Sequence, residues 1–265
     1  MMHKLTLVAL LAFGSTTVTA ADMRPANFNV EERKHQLTAH IRWPEEVRTE
    51  VSLILNCFAV INTNGRMKDT NCFAKNPFEQ AFTASLVKAS KKGRLNPALI
   101  DGEPQEIYLQ FRVEFLSEAV KKAPIPKPAE GEEELSKKEK KKLDQKLEAE
   151  AVARANRRVS IYLNPGFEEN VAAYGYDHVA GQRVIGKKEI WNEVCPKRAK
   201  YAVWVRAYLS EEGEVGNPTI DHADGVMPTA NCQNAIRDTV LASKFTPAMA
   251  DGVAVPSAFI EIFGN

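Results

Sequence analysis

The chain has 265 residues, of which 44% are hydrophobic and 26% charged, a mix that suits one or two globular domains and excludes disorder throughout. Lys and Arg number 35 against 34 Asp and Glu, so a net charge of +1 lacks the basic excess of a nucleic-acid-coating protein. No apolar run reaches the ~20 residues needed to cross a bilayer as a helix.

Residues 1–20 read as a cleavable secretory signal peptide: Lys4 is a positive start, Leu5 to Phe13 an apolar stretch, and Val18-Thr19-Ala20 a small-residue cleavage site. The expectation is an exported protein, soluble in the periplasm. In an oxidising compartment the even set Cys57, Cys72, Cys195 and Cys232 reads as two disulfides. No C-x-x-C is present and the histidines at 35, 40, 178 and 222 are scattered, so neither a metal site nor a cofactor is expected.

A first unit is read over residues 26–117. Val51, Leu53, Leu55, Cys57, Ala59 and Ile61 alternate on one face of a long strand. Asn64-Gly65 signals a two-residue hairpin loop, with a second strand near 66–73. Asn76-Pro77-Phe78-Glu79 offers a cap and a helix start, Phe78, Phe82, Leu86 and Ala89 fall on one stripe, and Gly93 is a stop. Ile107, Leu109, Phe111, Val113 and Phe115 then alternate inward on a last strand.

From Glu118 to Arg158, 21 of 41 residues are charged, which marks a linker. Its Pro-rich start, 123–128, should be extended, and its Lys/Glu-rich part reads as a solvated helix, a spacer or a docking helix. A second unit is read over residues 159–265, with Val159 to Leu163 as a strand and Tyr174-Gly175-Tyr176 as a loop. Val203, Val205, Ala207 and Leu209 alternate on its first long strand, and a second follows near 214–222. Cys232, Ala235, Ile236, Thr239 and Val240 line a helix face, and Phe259 to Phe263 end the unit.

The two units are copies. Asn96-Pro97-Ala98-Leu99-Ile100-Asp101-Gly102 reappears as Thr246-Pro247-Ala248-Met249-Ala250-Asp251-Gly252 at an offset of 150. Trp43-Pro44 answers Cys195-Pro196 at 152, and Asn64-Gly65 answers Glu212-Gly213 at 148. The fold class expected is α+β: two tandem domains, each a small antiparallel sheet with one helix over it, joined by the charged linker over residues 118–158.

Cys195-Pro196, Gly213, Phe245-Thr246-Pro247-Ala248, Asp251-Gly252 and the strand Phe259 to Phe263 resemble the carboxy-terminal domain of TonB energy-transducer proteins. Trp43-Pro44, Asn64-Gly65, Asn96-Pro97-Ala98 and Asp101-Gly102 resemble it more loosely. The resemblance implies a cell-envelope adaptor, associated with TonB-dependent transport, that binds a short segment of a partner protein by adding it as a strand to a sheet edge. A structural envelope protein that binds peptidoglycan or self-associates is the alternative.

No catalytic motif is found, and an enzyme is not expected. Asp221-His222-x-Asp224 reads as an exposed loop after the second strand, and Asp101-Gly102 and Asp251-Gly252 as turns. Trp204 and Tyr208, opposite Val203 and Val205, are the candidate partner contacts.

Turn arithmetic chooses the cysteine pairing. With Asn64-Gly65 as a two-residue loop, facing residue numbers sum to 129, as Cys57 and Cys72 do. Facing residues on antiparallel strands have Cα atoms ~4.5–5.5 Å apart, within disulfide range. Cys195 and Cys232 are left for each other, and each closure is worth about 3–4 kcal/mol.

Overall fold

A computed structural model describes residues 23–44, 50–118, 156–196, 201–225 and 227–264. The expected signal peptide and residues 119–155 of the expected linker lie outside the described residues.

The first unit opens with β1 (Val51–Ile61) and β2 (Met67–Cys72), continues through α1 (Pro77–Ser90) and a short hairpin of β3 (Ala98–Ile100) and β4 (Glu103–Gln105), and ends in β5 (Ile107–Glu118). Asn76 starts α1 by accepting the Glu79 N–H at 3.0 Å, and Pro77 occupies the position where an amide hydrogen has no helical partner. The alternation of β1 and β5 turns Leu55, Cys57, Leu109 and Phe111 toward the buried helix face of Phe82, Leu86 and Ala89. Phe82 meets Phe115 edge-on at 4.7 Å. Each such side chain, once out of water, contributes about 1.5–3 kcal/mol.

Next in the described chain come β6 (Asn156–Tyr162), α2 (Glu168–Tyr174), β7 (Gln182–Val184) and α3 (Ile190–Val194). The second unit holds β8 (Tyr201–Leu209), β9 (Val215–Gly225) and α4 (Ala230–Ala242). Then follow β10 (Phe245–Thr246), β11 (Ala248–Ala250), β12 (Val253–Val255) and β13 (Ser257–Gly264). Every strand pair in the described residues is antiparallel, so the molecule is α+β. No described helix is long and apolar enough to cross a membrane.

The sheets do not divide at residue 158. β6 pairs with β5 from Arg112↔Tyr162 to Glu118↔Asn156, and β7 pairs with both β5 and β10. The resulting six-stranded sheet draws strands from both sides of that boundary, beside a three-stranded sheet of order β13-β8-β9. The outward faces of the two sheets meet. Phe73 stacks on Trp204 at 5.7 Å, and Phe58, Gln110, Phe167 and Ile262 line the same small cleft. The layers therefore run α1, six-stranded sheet, three-stranded sheet, α4.

The hairpin loops hold three residues rather than two. Asn62 N–H donates to the Arg66 carbonyl at 3.0 Å, and the Gly65 N–H to Asn62 at 2.8 Å. In the second unit Ser210 does the same toward Glu214 and Gly213. The side chains repeat as well: Asn62 Oδ1 accepts from Asn64 and Arg66, and Ser210 Oγ accepts from Glu212 and Glu214. A three-residue loop shifts the pairing by one, as in Val60↔Lys68, and a bulge at Asp69 (φ 50°) shifts it back before Cys57↔Cys72. The arithmetic reached the right pair because two one-residue errors cancel. Asn217 (φ 47°) is the matching bulge of the second hairpin. Asp221 to Asp224 continue β9 rather than forming a loop.

Both loop glycines seat against backbone. Gly65 has φ 72°, and a Cβ there would stand 1.9 Å from the Leu95 carbonyl oxygen. Gly213 has φ 79°, with the Phe245 oxygen 2.6 Å away. Gly65→Ala and Gly213→Ala should each lower stability by about 2 kcal/mol, from the left-handed backbone and the displaced strand together. Urea unfolding checks this, and an unchanged midpoint for either variant contradicts the docking.

Candidate functional site

The four cysteines form two disulfides, Cys57–Cys72 and Cys195–Cys232, with Cα atoms 4.0 and 4.8 Å apart. Both suit an oxidising compartment. Trp204 is half-buried under Phe73, within the seam between the sheets, whereas Tyr208 is 57% exposed. The two lie on one face of β8, but the fold uses Trp204 to hold its own layers together. Among the described residues no group of three or more His, Cys, Asp or Glu is placed to hold a metal.

The repeat extends further upstream than sequence comparison reached. Asn27 pairs with Asn96 as Gln182 pairs with Thr246, and Arg24 pairs with Leu99 as Val179 pairs with Met249. The segment 24–27 thus corresponds to 179–182 at an offset of 155. The two equivalent segments also meet: the Gln182 side chain accepts from Ala26 N–H at 2.7 Å and donates to its carbonyl at 3.0 Å.

Once aligned in this way, the units differ at two linked pairs of core positions. In the first, Trp43 packs edge-on against Phe82 at 5.4 Å, and in the second the corresponding residues are the bonded Cys195 and Cys232. In the first, Phe28 packs against Phe111 at 5.7 Å, and their counterparts are Arg183 and Glu261. Arg183 and Glu261 are each 2% exposed and joined by two hydrogen bonds of 2.6 and 2.7 Å. Glu189 takes the rest of the Arg183 guanidinium and accepts from Trp191 Nε1 at 2.7 Å. Burial pushes the Glu261 carboxyl above the usual carboxylate range, although Arg183 pulls the other way. Burial also opposes the charge on Arg183, but the two carboxylates outweigh it and hold the guanidinium protonated.

A third polar cluster covers the outer face of β5. Arg112 lies between the rings of Tyr162 (5.1 Å) and Tyr176 (4.9 Å) and donates to Asn164. Asn164 in turn donates to the Tyr176 and His178 carbonyls. Nothing in the local sequence marks this cage, since its members come from segments 50 residues or more apart. Burial lowers the pKa of Arg112 and of His178.

Most sheet edges are occupied by the chain itself. The outer edge of β5 is taken by β6 and β7. At β13, the Asn170 amide accepts the Ala258 N–H and donates to its carbonyl, imitating a neighbouring strand. Tyr174 Oη adds a bond to the Pro256 carbonyl. β6 is flanked by the segment that carries Trp43, over whose ring Arg157 sits at 5.2 Å, and β2 is broken by its bulge after two paired residues. Among the described residues β9 is the longest strand with a single neighbour, and after its bulges it runs regularly from His222↔Trp204 to Gly225↔Tyr201.

No known family, no curated protein and no solved structure matches the chain.

The aromatic-to-ionic exchange makes a stability prediction. Arg183→Phe strands the buried Glu261 and Glu189 carboxylates together and should cost about 3–5 kcal/mol, whereas Glu261→Phe leaves the Arg183 guanidinium on Glu189 and should cost less. Because Glu261 has its pKa raised in the fold, the native state holds its proton at higher pH than the unfolded chain. Its contribution is full below the ordinary carboxylate value of 4.5 and lost as pH rises through the raised one. Urea midpoints at pH 4.5 and pH 8 should show this decline in the parent and a smaller one in Glu261→Phe, where Glu189 keeps its Arg183 partner.

Proposed function

We propose that the protein is a non-enzymatic adaptor of the cell envelope, built on two TonB carboxy-terminal-like repeats in the periplasm, that captures an extended segment of a partner protein along β9. The observation that carries this reading is the distribution of edges among the described residues: β5 and β13 are covered from within the chain, and β9 retains the longest run without a second partner strand. An exposed edge offers a row of unpaired peptide groups, which a partner strand satisfies with main-chain hydrogen bonds. The reading is also supported by the two disulfides, which stiffen each hairpin or helix without a large core. Pro218 and the bulges beside it guard the first half of β9, which leaves residues 222–225 for pairing.

The alternation of hydrogen-bond direction identifies the residue to alter. Ala258 faces away from β8, so its neighbour Phe259 bonds to Ala207, and residues 202 and 204 of β8 turn toward β9. Ala223 therefore aims its peptide groups at the open edge. Ala223→Pro removes that donor while sparing the ladder to β8, and it should leave the unfolding midpoint within about 1 kcal/mol of the parent. A protein recovered from envelope extract by the parent and weakened about tenfold or more for the variant supports the reading. Equal recovery by the two, sedimentation of the protein with purified cell wall, or a β9-dependent dimer in size-exclusion chromatography overturns it in favour of the structural alternative.

A further inference from the structure

The two units differ in one more place. In the first, Leu37 is buried over the end of α1: its Cα and Cδ1 stand 3.0 Å from where a Cβ on Gly93 would be. The counterpart of Gly93 is Ser243, at the end of α4. Over Ser243 the second unit has a cleft of about 200 Å³, lined by Val184, Lys188, Ile190, Thr239, Ala242 and Lys244 among others. Its origin is a shortened connection. Asn27 and Trp43 are separated by 16 positions, whereas their counterparts Gln182 and Cys195 are separated by 13. The 3₁₀ turns that deliver Leu37 in the first unit are replaced by the short α3.

Three properties of the cleft define an occupant. Its volume is below the ~300 Å³ of ordinary small-molecule sites and close to that of a single large side chain. Val184, Ile190 and Ala242 supply an apolar wall, and Ile190 is left 42% exposed beside it. Lys188 and Lys244 stand in the lining, and neither forms an ion pair among the described residues. Glu189 also borders the cleft, but its carboxylate oxygens are already taken up by hydrogen bonds from Arg183 and Trp191. Ser243 is likewise engaged, donating to the Thr239 carbonyl at 2.7 Å.

We infer that this cleft receives a leucine-sized side chain of a partner polypeptide, flanked in the partner by acidic residues that pair with Lys188 and Lys244. The partner's side chain takes the place that Leu37 fills in the first unit, and the acidic flanks answer two amines that have no ion pair among the described residues. Burying the apolar group gives the affinity, and the two charge pairs at the rim set its orientation and its rate of association. The surface involves α3 and the end of α4, not β9, so it rests on the adaptor reading only in taking a protein as partner.

The test uses three capped pentapeptides: glycine-glutamate-leucine-glutamate-glycine, the same with lysines for glutamates, and the same with serine for leucine. Amide chemical shifts of the full chain are followed during titration. Expected are perturbations confined to residues 184–190 and 239–244 for the acidic leucine peptide, with binding at least about tenfold weaker for the other two. Lys188→Glu with Lys244→Glu should abolish the preference for the acidic peptide and transfer it to the basic one, with unfolding unchanged. Ala223→Pro should have no effect here, which separates failure of this site from failure of the β9 edge. No binding of the acidic leucine peptide at millimolar concentration, equal binding of all three, or shifts mapping elsewhere overturns the inference.

Discussion

In each unit one constraint sets everything else: the segment before the first long strand must be fastened to the single helix, because one helix covers one sheet face and has no second layer behind it. The first unit meets this by wedging Trp43 between Phe82 and Phe115. The second meets it covalently, through Cys195 and Cys232. The aromatic wedge works by removing apolar area from water and acts only in the folded state, whereas the disulfide acts largely by restricting the unfolded one. Two unlike mechanisms thus satisfy one geometric demand, and the helix, hairpin and last strand take the same relative order around both.

The second exchange has a different logic. Phe28 and Phe111 stabilise the first unit by simple burial, while Arg183 and Glu261 occupy the corresponding place at a desolvation cost that their mutual hydrogen bonds only partly offset. What the ionic version adds is direction. Arg183 belongs to β7, which pairs with β5 on one side and β10 on the other, so its side chain reaches from the six-stranded sheet into the core under α4. The pair thereby holds β7, which pairs with β5 of the six-stranded sheet, against the last strand of the second unit.

The same economy explains which surfaces remain open. β6, β7 and Asn170 cover edges that two separate small sheets would expose. Burial and the nearby Glu261 carboxylate push the Tyr108 hydroxyl well above its ordinary pKa. Among the described residues the β9 edge and the cleft over Ser243 stay open, and the cleft arises where the second unit departs from the first.

Local features were legible in the sequence because they depend on neighbours. Period-two alternation placed β1, β5 and β8, the Asn76-Pro77-x-Glu79 start placed α1, and the recurring Pro-Ala-x-x-Asp-Gly revealed the duplication. The cysteine pairing followed from hairpin counting, although the loop length and the bulge at Asp69 were both hidden, since a bulge is a choice of backbone that Asp permits but does not announce. Trp204 could be assigned to an outward face, but whether that face meets solvent depends on Phe73, 131 positions away in the chain. The addition of β6 and β7 to β5, the cage around Arg112 and the reach of Arg183 to Glu261 were decided by tertiary structure alone. In each of these, hydrogen bonds and buried charges are satisfied between segments whose distance in sequence carries no periodic signal, so only the folded chain brings their chemistry together.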